Sequence, residues 1–137
     1  QPIHALMRRD HPLAEKKLLR LRECLSYPHV APPPKYAIRR LLDMAVKKIS
    51  SGMVSPIVEA ESFDFMRHYI RHEHAISFQF PIGLDLEESP DLMSCPLDPR
   101  DVAPGNLLLG QLRGRSLPVA STKFLHQLSL ALQNQAF

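Results

Sequence analysis

The chain has 137 residues, 45% of them apolar, with 17 Lys and Arg set against 14 Asp and Glu. That length and composition describe one ordinary globular domain able to bury a core without staples, and they exclude a disordered tail. The basic residues come as scattered pairs (Arg8-Arg9, Lys16-Lys17, Arg39-Arg40, Lys47-Lys48). A nucleic-acid surface calls for a continuous basic stripe with interleaved aromatics, so these pairs read as solvated helix faces.

Cys24 and Cys95 form neither a framework nor a CxxC pair and read as small buried hydrophobes of a reducing compartment. No apolar run reaches the roughly 18 residues a membrane span needs, and no charged segment leads into an apolar core and cleavage site at the N-terminus. Gln1 is not an initiating residue, so a fragment or processed product with a cytoplasmic address is expected.

Residues 3–7 are short and apolar, the pattern of a buried strand. Residues 8–12 are charged and end in a proline that biases its predecessor away from helix. Residues 18–25 predict a short helix stopped before Pro28, and a buried-looking stretch then runs into Pro32-Pro33-Pro34. The clearest element follows over 36–49. Ile38, Leu41, Leu42, Ala45, Val46 and Ile49 recur at steps of three and four, with Arg39, Arg40, Asp43 and Lys47 opposite. Ser50-Ser51-Gly52 ends that helix.

Residues 56–59 predict a strand, and Ser62 an N-cap for a helix whose inner side is Phe63, Met66 and Ile70. Residues 75–80 predict a β-prone apolar strand closed by Pro81-Ile82-Gly83-Leu84. A loop at 87–90, a weak strand at 92–97, a proline-punctuated linker at 98–104 and a strand at 107–112 come next. Gly114-Arg115-Ser116 then turns into a last helix, with Pro118 in its first turn and Phe124, Leu128 and Leu132 inward. Strands alternating with helices predict an α/β domain.

Two helix beginnings are candidate binding positions. The prolines form a stiff lead into a helix, so Pro34, Lys35 and Tyr36 set a positive helix end, an ammonium and a flat hydroxylated ring before whatever lies there, which suits a carboxylate or phosphate. The same stretch also reads as a rigid turn with a solvated lysine. Ser62 either caps its own helix or offers its hydroxyl to a ligand, and Phe63 beside it is a core or wall residue. His68 and His72 stand one helical turn apart, a metal-compatible spacing. However, Glu73 follows His72 with no histidine three residues later, and Arg67 and Arg71 crowd the region, so an exposed polar helix end is expected and no metal. No nucleophile elbow, P-loop or dinucleotide fingerprint is present, so neither an enzyme nor a cofactor is expected.

Residues 3–7 followed by His11-Pro12-Leu13-Ala14 resemble the strand and "HPLA" segment of LysR-type effector domains. Leu21-Arg22-Glu23-Cys24-Leu25 with Tyr27-Pro28, the proline loop with Arg39-Arg40-Leu41-Leu42-Asp43, Val58-Glu59-Ala60-Glu61-Ser62-Phe63, and Ser116-Leu117-Pro118 with Phe124 follow in family order. The order covers almost the whole chain. The pattern departs at His72-Glu73-His74, where the family has a glycine-rich turn, and after Pro81, where the stretch is short.

The resemblance implies a periplasmic-binding-protein-like fold of type II: residues 1–10 a remnant of effector lobe I, 11–98 lobe II, and 99–137 the return to lobe I. It implies a small-molecule effector, an organic acid among the candidates, held in an interlobe cleft by Pro34, Lys35, Tyr36, Ser62, Phe63, Pro81 and Ile82. It also implies a homodimer or tetramer, and DNA contact only through a winged helix-turn-helix outside this chain. An edge left bare at 3–7 or 107–112 points to self-association. The alternative is a solute-binding protein of a transport system.

Overall fold

The computed structural model describes residues 1–50, 52–82, 84 and 86–134. They fall into two units, Gln1–Gly105 and the segment from Asn106 onward. Ser51, in the expected helix stop, and Gly83, in the expected strand closure, lie outside the described residues.

The first unit runs β1 (His4–Arg8), α1 (Leu21–Leu25), β2 (His29–Ala31), α2 (Ala37–Ile49), β3 (Val58–Glu59), α3 (Phe63–His72), β4 (Ile76–Gln79) and β5 (Leu92–Pro96). The strands form a mixed sheet in the order β3-β2-β4-β1-β5. β2 lies parallel to both β3 and β4, whereas β1 is antiparallel to both β4 and β5.

Side-chain alternation sends each strand's residues to two separate cores. Ala5, Met7, Ala31, Ile76 and Phe78 pack with Ile38, Leu42, Ala45 and Val46, the apolar stripe of α2. Leu6, Val30 and Leu92 pack with Met66 and Ile70 of α3. Helices therefore cover both faces, and β2 and β4 are buried along their whole length, as parallel strands between two helical layers must be.

Several expectations meet a different structure. β2 was hidden in the buried-looking stretch before the prolines, too short for alternation to mark it. β1 is interior, not a bare edge, because it pairs over five residues with β5 and over three with β4. Residues 1–10 thus supply a strand to the interior of this sheet, whose compact unit runs from Gln1 to Gly105. The outer edges are the two-residue β3 and β5, and Leu19 bonds along the latter's end: its N–H donates to the Pro96 carbonyl at 3.0 Å and its carbonyl accepts from Asp98 N–H at 2.8 Å. The strand-edge argument for self-association loses its basis here.

In the second unit, residues 107–112 form no strand. No other strand stands among that unit's described residues to take up their backbone groups. Its helix α4 (Val119–Asn134) starts on the Pro118 carbonyl, which accepts from Thr122 N–H at 3.0 Å. Phe124, expected inward, is 67% exposed, and Leu128 and Leu132 are half-buried. Among the described residues of this unit α4 is the one helix, and with a short lead-in it has too little surface to enclose that stripe.

One buried cation organises the first unit. Arg39, 4% exposed, donates to the Pro32 carbonyl at 3.1 Å, to the Val54 carbonyl at 2.9 Å, to Asp43 at 3.2 Å and to Glu59. Asp43 in turn accepts from Val54 N–H at 3.1 Å. Burial works against the guanidinium's charge, but Glu59 and Asp43 outweigh it, so its pKa stands above the ordinary arginine value. The segment after β5 is held similarly. Asp101 accepts from Arg20 Nε at 2.8 Å, Arg20 Nη2 at 2.7 Å and Leu21 N–H at 2.9 Å.

Arg39→Ala removes the guanidinium from two carboxylates and two carbonyls, leaving Asp43 with the Val54 N–H, and a loss of about 3–5 kcal/mol is expected in urea unfolding. Acid provides a second test. Hydrogen bonds from Arg100 pull the Asp98 carboxyl down to about 2, and those from Arg20 lower Asp101. Unfolded aspartates titrate near ~3.9, so the unfolded chain binds more protons below that pH. The stabilisation is full above about pH 5 and is lost as pH falls toward 2. Asp98→Asn should flatten the stability curve over that window, and a curve parallel to wild type would contradict this account.

Candidate functional site

The parallel strands β3, β2 and β4 end at one level. Val30 of β2 is in register with Val58 on one side and Ser77 on the other, and Ala31 with Glu59. Each strand is followed by a loop at that same edge: residues 32–36 into α2, 60–62 into α3, and 80–82 after β4. The carboxyl ends of parallel strands are where open α/β sheets collect ligands, because loops and helix beginnings converge there.

The seven expected residues are distributed over these loops. Pro34, Lys35 and Tyr36 lie between β2 and α2, Ser62 and Phe63 open α3, and Pro81 and Ile82 follow β4. The first two loops touch. Lys35 Nζ lies 2.5 Å from Glu61 Oε1, Tyr36 Oη donates to Glu61 Oε2 at a long 3.5 Å, and the ammonium sits 5.6 Å from the Tyr36 ring centre. Pro81 and Ile82 reach the same edge through the register of β4. Phe80 just before them is wedged against Gly105, where an added Cβ would stand 2.5 Å from the ring.

The two helix beginnings differ. Ser62 caps α3 by accepting from Phe65 N–H at 3.2 Å, and Asp64 adds a carboxylate in the first turn. The hydroxyl proton of Ser62 stays available to an acceptor. The start of α2 has Tyr36 at the cap position with no side-chain capping bond and no acid in its first turn. Its first N–H groups, on Ala37, Ile38 and Arg39, have no carbonyl partner within the helix. The lysine expected to meet a ligand is already paired: Glu61 raises the Lys35 pKa, and Lys35 lowers that of Glu61.

Glu61 and Gln79 were not among the expected residues. Glu61 stands in the stretch Val58-Glu59-Ala60-Glu61-Ser62-Phe63, but its reach across to Lys35 depends on β2 and β3 being neighbours. Gln79 was visible as a polar residue inside the apolar run 75–80. It is 6% exposed, and its Nε2 has no hydrogen-bond partner.

The His68 and His72 rings stand 4.6 Å apart on α3. Among the described residues no group of three or more His, Cys, Asp or Glu side chains is placed to hold a metal ion. Both cysteines are free and buried, and burial pushes the Cys24 thiol up to about 12. No described helix is long and apolar enough to cross a membrane. A hollow of about 620 Å³ flanks α3 between Arg67, His68, Arg71 and Ser89 and includes none of the seven expected residues.

Comparison with known proteins agrees with this architecture. The effector binding domain of QuiR, solved in complex with shikimate, superposes with a TM-score of 0.69 at 16% identity, over 99% of this chain and 64% of that one. The regulatory domain of Synechocystis PCC6803 CcmR, in complex with 2-PG, gives 0.67 at 21% identity over 98% and 64%. HinK, a LysR family transcriptional regulator from Pseudomonas aeruginosa, gives 0.68 at 16% identity over 96% and 45%. The chain therefore spans less than two thirds of each of these structures. No curated protein sequence matches it. The family described as the LysR substrate binding domain matches residues 1–132. With its five-strand sheet and mixed α/β architecture of the periplasmic-binding-protein type II kind, the chain belongs to the LysR substrate-binding domain family of transcriptional regulators.

Proposed function

We propose that this chain is the effector-sensing part of a LysR-type transcriptional regulator and binds a small organic acid at the carboxyl ends of β2, β3 and β4. The observation that carries the reading is the meeting of the Lys35 and Glu61 loops beside an α2 start that has no cap of its own. The ligands of two relatives, shikimate and 2-PG, both fit that chemistry.

In this reading Glu61 stands in for the effector's carboxylate. Both partners of the Lys35–Glu61 pair are largely exposed, and exposed pairs contribute about 0.2–1 kcal/mol. An incoming carboxylate displaces Glu61 at little cost and takes Lys35 together with the open N–H groups of Ala37, Ile38 and Arg39. Ser62 donates its remaining proton, while Phe63, Pro81 and Ile82 wall the apolar part. Binding favours one arrangement of a homodimer or tetramer over another, and DNA-binding domains outside this chain read that shift.

The test is thermal unfolding with shikimate, 2-PG and a panel of small carboxylates. A true effector at a hundred times its Kd stabilises by about 2.7 kcal/mol. Lys35→Ala should weaken the response, and Glu61→Gln, which frees Lys35, should strengthen carboxylate binding by about two- to fivefold. A panel with no response, or a response that neither substitution alters, argues against the reading.

A further inference from the structure

Gln79 closes β4 at the ligand edge and is buried without a use for its donors. Ile76 and Phe78 enter the α2-side core, so alternation turns Ser77 and Gln79 to the α3 side. The buried apolar residues of that side include Leu6, Val30, Met66, Ile70 and Leu92. Ser77 Oγ, fully buried, also lacks a partner. A leucine would suit this environment better than an amide whose N–H groups are left unpaired. The fold alone gives no reason for glutamine here.

The neighbours of Gln79 define the chemistry. It is in register with His4 of β1, whose Nδ1 lies 3.2 Å from Ser94 Oγ on β5. Burial lowers the His4 pKa, so the ring is neutral at pH 7. A row of uncharged groups, Gln79, His4 and Ser94, thus crosses three strands at the end where β4 leads into Phe80, Pro81 and Ile82. Arg8 lies at the far end of β1 and is engaged by Asp10 and the Arg71 carbonyl. β2 neighbours β4, so adjacent-strand spacing of about 5 Å separates the glutamine from the strand that feeds the Lys35 loop. A small metabolite can span that interval.

We propose that Gln79 is a specificity-determining contact whose amide donates to an uncharged oxygen, a hydroxyl or carbonyl, of the effector. The effector is then a hydroxylated or keto acid, with its carboxylate toward Lys35 and its neutral oxygen toward β4, rather than a plain hydrocarbon acid. This rests on the sensing function proposed above and narrows its ligand class.

The experiment compares wild type with Gln79→Leu in the full chain, using urea unfolding without ligand and calorimetric titration with shikimate and with benzoate, an acid lacking hydroxyls. The expected result is unchanged or increased stability of the free variant, a loss of shikimate affinity of about tenfold or more, and unchanged benzoate binding. A less stable free variant would show that the amide has a structural partner, such as an internal water, and would overturn the proposal. So would equal losses for both acids, or undiminished shikimate affinity, each leaving effector sensing intact. Wild type that binds neither acid, nor any polyol or hydroxy acid of a wider panel, overturns the sensing function and this assignment together.

Discussion

The guanidinium of Arg39 is the interaction on which the arrangement of the loops after β2 and β3 depends. It is carried by α2, yet its bonds go to the end of β2 at Pro32, to the return segment at Val54 and to β3 at Glu59. Asp43, one turn along the same helix, completes the set by holding both the guanidinium and the Val54 amide. An apolar pair in the same place would fill the volume without the desolvation penalty of buried charge. It would not fix two backbone carbonyls, and those carbonyls set where the proline loop and the approach to β3 run. The relation between the Lys35 loop and the Glu61 loop follows from that clamp.

Above this rigid base sits a much looser layer. Lys35 and Glu61 are both largely exposed, so their attraction is weakened by water and by salt. Arg39 and Lys35 are both cations near the start of α2, but one is locked by four partners and the other has an exchangeable one. The helix beginnings divide in the same way. α3 satisfies its own first turn with Ser62 and Asp64, whereas α2 is left open behind Tyr36. The two layers thus set a fixed backbone edge beneath an exposed ion pair and an uncapped helix start, which is what the proposed sensing of an acid would use.

Much of this was legible in the residues. The 3.6-residue recurrence from Ile38 to Ile49 marked α2 because only one side of that helix meets the sheet. Ser62 marked the start of α3 through its capping chemistry, and the β-prone run 75–80 marked β4. Other parts were not legible. His29–Ala31 is three residues buried on both faces, with no alternation to read. The run 107–112 has strand-like composition, but a strand also needs a partner for its backbone, and the described part of that unit contains none. Phe124 looked inward by spacing, and spacing does not say whether an opposing surface is present.

The residues by themselves determined which segments become helices and strands, since periodicity, capping and proline placement are local properties that act within a few residues. They also determined the family, through motifs kept in order along nearly the whole chain. Tertiary structure alone decided that β1 lies between β4 and β5, that Glu61 meets Lys35 and that the Gln79 amide nitrogen is buried without a partner. Each of those depends on which strands become neighbours, and strand neighbours are chosen by hydrogen bonding and packing between segments far apart in the chain.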